Sequence, residues 1–325
     1  MNEIEDPENK KVWICFGPKL NQYVSAATPA ASSLATIGNT PVLQLRNVIP
    51  DKDTHASIYL KLEYVNPTGP YKDRLALSII EEAEARGNLK PGMTVVEATG
   101  GSTGSSLAFI CAMKGYKFHV ASSDAFAAEK IRTMRAYGAD VEIVHVPGGK
   151  ITKELFPEMM RRAKERVDAL PGYASLGGEL LAQFPGGIDA FCGAAGSGGM
   201  LMGVSSVLRT KRPETKLVVL EPASSPVISE GRAGVHGVEG IAPGFVPPHL
   251  DQKMYDEAWR VDEAEARAMC RRLAREEGIL VGTSTGLNVV AAVRLAKELG
   301  PGKTVVTVAC DSGLKYLNGD LLADN

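Results

Sequence analysis

The run VVEATGGSTGSSLAF, Val95–Phe109, decides the fold. β-branched Val95 and Val96 lead into Thr99, Gly100, Gly101, Ser102, Thr103 and Gly104, and an apolar stretch with helical spacing follows. This order predicts a strand, a tight turn and a helix in direct succession. Such a turn presents backbone N–H groups and hydroxyls at a helix N-terminus, where a carboxylate or phosphate binds well. Glycine turns also join strands to helices for backbone reasons alone, so by itself the loop leaves both readings open.

The same alternation extends outward. SIYLKLEY, TVVEA, KFHVAS, DVEIVHV, AFCGA, KLVVLEP and TVVTVAC read as strands, whereas RLALSIIEEAEARG, STGSSLAFICAMKG, AAEKIRTMRAYG and DEAEARAMCRRLAREEG carry helical periodicity. Strands and helices taken in turn predict an α/β protein with parallel sheets covered by helices.

Three more small-residue turns stand at such junctions. NPTGPYKDRLAL, Asn66–Leu77, sets Lys72 directly after a proline-glycine turn. There it is either a solvated first-turn residue or a nucleophile fixed beside a cofactor pocket. FCGAAGSGGMLMG opens a helix with Gly196, Ser197, Gly198 and Gly199, the shape of a phosphate cradle. It has neither the Lys-Ser/Thr of a nucleotide P-loop nor the GxGxxG dinucleotide fingerprint, which argues against ATP and NAD. In VGTSTGLNVVAAV, Ser284 precedes a helix and could point its hydroxyl into a cleft.

Composition narrows the partners. The chain has 325 residues, enough for about two domains, and a formal net charge of -2. That balance gives no electrostatic reason to expect nucleic acid or an anionic membrane, and a small-molecule substrate is expected instead. Five cysteines without CxxC spacing argue against a disulfide framework or a zinc cluster, and the scattered histidines predict no metal site. Cys111 and Cys192 read as buried apolar filler. No apolar run reaches membrane-spanning length, and the acidic, lysine-bearing N-terminus is unlike a secretory signal, so a cytoplasmic protein is expected. Residues 1–33, mixing aromatics with Pro, Ala and Ser, read as an arm or a disordered tail.

Taken in order, NPTGPYKDR, EATGGSTG, GSGG, GTSTG and ACDSGLKYL resemble the fold-type II pyridoxal 5'-phosphate enzymes, in particular the cysteine synthase and cystathionine β-synthase branch. The resemblance runs from about Ser33 to Leu317. It implies an N-terminal arm (1–33), a large cofactor-binding domain (34–66 and 175–325) and a small domain (67–174). Each domain would hold a helix-covered, mostly parallel sheet, with the active site in the cleft between them, and a homodimer is the expected assembly.

The resemblance also implies roles. Lys72 would hold the cofactor as a Schiff base and serve as the base at the substrate's α-carbon. Gly196, Ser197, Gly198, Gly199 and Met200 fall on the phosphate loop, where Met200 replaces the usual hydroxyl residue. Ser284 falls on the residue facing the pyridine nitrogen; a neutral hydroxyl there suits β-elimination and β-replacement better than transamination. Thr99, Gly100, Gly101 and Thr103 fall on the loop for the substrate carboxylate. Ser102 stands where an asparagine usually contacts the cofactor, and Gly100 where a substrate-facing serine is common. A glutamine-phenylalanine-asparagine stretch normal to cysteine synthases is missing between Val167 and Tyr173, and Gln183-Phe184 is no substitute for it. The implied reaction is β-replacement or β-elimination on a serine-type amino acid through an α-aminoacrylate. Two alternatives stay open: a serine or threonine dehydratase, and a non-catalytic ligand-binding homologue.

Overall fold

The computed structural model describes residues 30–49, 55–146, 155, 158, 159, 170–317, 319 and 321. The chain divides into two units, Met1–Ser32 and Ser33–Asn325, and the second carries everything described below. The expected N-terminal arm lies almost entirely outside the described residues.

Two sheets organise the second unit. The larger is built from β1 (Val42–Gln44), β2 (Ser57–Lys61), β6 (Ala190–Ala194), β7 (Lys216–Pro222), β8 (Glu257–Val261) and β9 (Thr304–Val308), in the order β1-β2-β9-β6-β7-β8. All its neighbours are parallel except β1, which runs antiparallel to β2. The smaller sheet is parallel throughout, with β3 (Thr94–Ala98), β4 (Lys117–Ser123) and β5 (Asp140–Val144) in sequence order. The helices are α1 (Lys72–Ala85), α2 (Ser102–Lys114), α3 (Ala128–Ala136), α4 (Leu170–Gln183), α5 (Gly199–Lys211), the short α6 (Val227–Glu230), α7 (Glu263–Glu276) and α8 (Thr283–Leu299).

Strand burial explains why these segments read as apolar runs. In β7, Leu217 and Val219 face a core shared with α4 and α5, while Val218 and Leu220 face the opposite core shared with α7 and α8. Every residue of β6 is buried. A parallel sheet covered on both faces needs side chains of this kind on both sides. The two edge strands of the larger sheet escape the sequence reading: β1 is only three residues long, and β8, EAWRV, exposes Glu257 and Arg260 and carries no apolar run. Cys192 is buried in the core between the larger sheet and α7 and α8, and Cys111 in the core that joins α1 and α2 to the smaller sheet, as expected of apolar filler. Among the described residues no helix is long and apolar enough to cross a membrane, and no cluster of His, Cys, Asp or Glu could hold a metal ion.

Candidate active site

The turn before α1 is tied down on three sides. Gly69 N–H donates to Asn66 O (2.8 Å), Tyr71 N–H donates to Cys310 O (3.2 Å), and Pro70 forms a bridge with Asp311. Asp73, fully buried, accepts from the Thr68 N–H (2.7 Å) and from the Thr68 hydroxyl, which also lies 3.2 Å from Ser106 Oγ on α2. Burial raises the Asp73 pKa, and hydrogen bonds from Ser106 and Thr68 oppose the rise.

A second layer of buried charge lies next to this turn. The Arg74 guanidinium donates to Glu63 (Nε, 2.7 Å) and to Glu179 (Nη1, 2.7 Å), and Lys61 Nζ donates to Glu179 (2.7 Å), Gln183 (3.0 Å) and Thr40 O (2.6 Å). Two cations and two carboxylates are thereby paired, as buried ions must be. Gln183, at the end of α4, is engaged in this network. The gap expected between Val167 and Tyr173 begins at Val167–Ala169, outside the described residues.

Lys72 opens α1 from this base. Its Nζ lies 5.0 Å from the Tyr71 ring centre and 5.6 Å from that of Tyr173, and the two rings meet edge to face. Burial pulls the Lys72 pKa from 10.5 to about 8, with Cys310 alongside opposing the shift. The side chain is partly accessible at the surface, so the ammonium lies in a recess rather than a sealed core.

Cys310 ties the turn before Lys72 to the start of α8, which carries Ser284. Ser284 is the second residue of α8 rather than the residue before it, because Gly282 takes the N-cap position. It is buried, and the Cys310 thiol accepts from Asn288 Nδ2 (3.3 Å) on the same helix. Thr285 Oγ1 accepts from the Cys310 N–H (3.0 Å), while Asn288 bridges two strand ends, accepting from Ala194 N–H (2.9 Å) and donating to Val308 O (2.8 Å). The carboxyl ends of β6 and β9 therefore meet the first two turns of α8, the usual place for a ligand in an α/β sheet.

The GSGG turn follows β6. A Cβ on Gly196 would stand 2.3 Å from Gly240 O, and Gly198 has φ +82°, left-handed backbone that glycine adopts freely. Ser197 Oγ accepts from Gly199 N–H (3.4 Å). The N–H groups of Gly196, Ser197 and Gly198 have no protein acceptor among the described residues, so they open a cradle at the start of α5. The Met200 side chain is buried in the core and packs against Gly193 of β6. It contributes no polar group.

In the TGGSTG loop, Thr99 Oγ1 accepts from Gly101 N–H (3.4 Å), and Ser102 and Thr103 begin α2. A Cβ on Gly100 would fall 2.1 Å from the tip of the Phe126 ring. The space expected to face a substrate is filled by that ring. Lys130 of α3 lies against Gly101 and pairs with Glu239, next to Gly240 of the GSGG contact. Lys315 places its Nζ 3.5 Å from Ser102 Oγ. The four loops thus converge. Cys310, Phe126, Lys130, Tyr173 and Lys315 are the members that sequence reasoning missed; only the quoted ACDSGLKYL run pointed toward two of them.

Residues 34–311 match the family model described as pyridoxal-phosphate dependent enzyme. The chain belongs to this family. A cysteine synthase of Staphylococcus aureus is 43% identical over 312 positions, covering 91% of this chain and 98% of that enzyme. An O-ureido-L-serine synthase of Streptomyces lavendulae is 38% identical over 297 positions, covering 88% of this chain and 91% of that enzyme. The solved structure of an O-acetylserine sulfhydrylase isoform 3 from Entamoeba histolytica superposes with a TM-score of 0.83 at 30% identity, covering 93% of this chain and 95% of the other. The protein is a fold-type II pyridoxal-phosphate-dependent enzyme of the cysteine synthase family.

The residues present fit the cofactor. A recessed amine that is partly neutral near pH 7, a cradle of open N–H groups at the start of a 13-residue helix and a buried hydroxyl on α8 match its aldehyde, phosphate and ring nitrogen.

Proposed function

We propose that this enzyme catalyses β-replacement on an activated L-serine, with O-acetyl-L-serine and sulfide the first pair to test. The observation that carries the reading is the meeting of two elements on Cys310, whose carbonyl accepts from the Tyr71 N–H beside Lys72 and whose N–H donates to Thr285 beside Ser284: this brings together an amine able to move a proton and a neutral hydroxyl where a carboxylate would favour other chemistry. The serine-derived chemistry named for the O-ureido-L-serine synthase and O-acetylserine sulfhydrylase relatives supports it.

Bound pyridoxal phosphate supplies the electron sink for negative charge at the substrate's α-carbon. The chain does the rest. Open N–H groups from Gly196 to Gly198, the Ser197 hydroxyl and the positive end of α5 hold the phosphate. Ser284, fixed in the first turn of α8, would meet the ring nitrogen with its hydroxyl. Lys72, with a pKa of about 8, keeps roughly one amine in ten neutral at pH 7 and serves as nucleophile toward the cofactor and as base at the α-carbon. The TGGSTG loop at the start of α2 takes the substrate's carboxylate, and the Phe126 ring walls it off at Gly100.

We also propose the division into a large domain (34–66 and 175–325) and a small one (67–174). Support comes from the sheets: every strand of the larger one falls in the first group and every strand of the smaller one in the second. The boundary at 174/175 passes through α4.

The test is cysteine formation from O-acetyl-L-serine and sulfide by the holoenzyme. Lys72→Ala is expected to abolish both turnover and the long-wavelength absorbance of bound cofactor. Cofactor uptake by the apoprotein is expected to accelerate as pH rises to about 8 and to level off above it, because deprotonation frees the Lys72 amine. Release of pyruvate from serine without incorporation of sulfide would favour the dehydratase instead.

A further inference from the structure

Two lysines from opposite sides press on the loop assigned to the substrate carboxylate. Lys130, 4% exposed, comes from α3, and its Nζ stands 3.5 Å from where a Cβ on Gly101 would be. Lys315 comes from the 3-10 turn after β9 (Gly313–Tyr316), and its Nζ lies 3.5 Å from Ser102 Oγ and 3.9 Å from where a Cβ on Gly69 would be. Its ammonium therefore sits between the turn that carries Lys72 and the first residue of α2.

The two lysines are not equally satisfied. Lys130 is paired with Glu239, and its Nζ lies 5.2 Å from the Tyr316 ring centre. Lys315 has no carboxylate within 4 Å among the described residues, only the neutral Ser102 hydroxyl. The acids nearest to it are engaged or turned elsewhere. Asp73 is held by Thr68 and Ser106. Asp311 accepts from the Tyr316 hydroxyl (2.7 Å) through Oδ2, and its buried Oδ1, turned toward Gly282, has no hydrogen-bond partner. Burial lowers the Lys315 pKa and Lys130 adds to the effect, whereas Asp311, Asp73 and Glu239 oppose it.

A recessed ammonium without a contacting counter-ion is costly, and an incoming anion removes the cost. One α-carboxylate does not account for it. The N–H groups of Ser102 and Thr103 have no protein acceptor among the described residues, and with the positive end of α2 they already form a carboxylate site. Lys315 adds a full charge at its edge. We propose that Lys315 binds a second oxyanion, a phosphate or carboxylate, carried by the activated serine or by the incoming nucleophile in addition to the α-carboxylate. This rests on the β-replacement reading above.

Holoenzyme of wild type, Lys315→Gln and Lys315→Arg separates the possibilities. If the donor carries the anion, Lys315→Gln raises the KM for O-phospho-L-serine about tenfold beyond any change for O-acetyl-L-serine, the loss expected for one charge-assisted contact, and Lys315→Arg recovers most of it. If the nucleophile carries it, the KM for L-aspartate or L-glutamate with O-acetyl-L-serine shows the excess over the KM for sulfide. Equal shifts for all substrates would make Lys315 a ligand of the α-carboxylate and overturn the proposal, as would no shift. If wild type turns over no serine derivative while its cofactor absorbance is intact, the β-replacement reading fails, and calorimetry with inorganic phosphate then decides on Lys315. A Kd weakened about tenfold in Lys315→Gln supports the anion subsite, and an equal Kd in both overturns it.

Discussion

Gly196 and Gly100 are both barred from carrying a side chain, but by different kinds of neighbour. At Gly196 the obstacle is the carbonyl oxygen of Gly240, 2.3 Å from the point a Cβ would take. At Gly100 it is the tip of the Phe126 ring, at 2.1 Å. A carbonyl belongs to a backbone anchored at both ends, where the neighbouring Ala242 N–H donates to Ala195 O (2.9 Å). A ring can swing about two torsions. The GSGG loop is thus defined by main chain against main chain, and the TGGSTG loop by a side chain that another sequence could exchange.

The largest effect is expected at the first of these contacts. Gly196→Ala forces two backbone segments apart and should cost about 3 kcal/mol, the upper part of the range for overpacking, in unfolding free energy of the apoprotein. Cofactor affinity should fall with it, since the open N–H cradle begins at that residue. Denaturant unfolding and a cofactor titration check both. Wild-type values in the two measurements would mean that the Gly240 segment yields, and the distinction between the loops would then be empty.

The same distinction explains what could be read in the chain beforehand. The backbone-defined features were legible: glycines at strand-to-helix junctions, the order of the loops, and the strands of the doubly covered sheet, because each leaves a local mark in composition or period. The contacts made by side chains from remote segments were not. Phe126 lies 26 positions beyond Gly100, and nothing in SSDAFAA marks the ring as the occupant of that space. Lys130 and Lys315 look like ordinary helix-surface lysines until α3 and the turn after β9 are folded against Gly101 and Ser102. The Glu63, Arg74, Glu179 and Lys61 network likewise joins residues up to 118 positions apart. Ser284 was legible by its place before NVVAAV, but the contact of Cys310 with the next residue, Thr285, required the end of β9 to be folded against the start of α8.

A middle-sized effect tests whether the Phe126 ring really governs Gly100. Gly100→Ser should cost about 2 kcal/mol in the wild-type background, as an overpacked site does. In a Phe126→Ala background most of that cost should vanish, giving a coupling of about 1–2 kcal/mol between the two positions. The kinetic reading follows the same cycle: if the ring shapes the substrate wall, the double variant regains kcat/KM for O-acetyl-L-serine relative to Gly100→Ser alone. Additive costs would show that the ring moves aside freely and that Gly100 is small for another reason.

The smallest effect lies inside the GSGG loop and separates space from backbone handedness. Gly198 has φ +82°, and a Cβ there would meet Leu250 at 3.4 Å, an ordinary contact. Unlike Gly196, it has room for a side chain and lacks only a backbone suited to one. Gly198→Ala should therefore cost about 1–2 kcal/mol, the penalty of an L-residue in the left-handed region, without the displacement expected of Gly196→Ala. Asparagine tolerates that region better than alanine because its short polar side chain bonds locally, so Gly198→Asn should be the more stable of the two despite its larger volume. Unfolding free energies of both variants decide the matter. The reverse order, alanine above asparagine, would mean that Leu250 limits the space and that Gly198 belongs with Gly196 as a close approach.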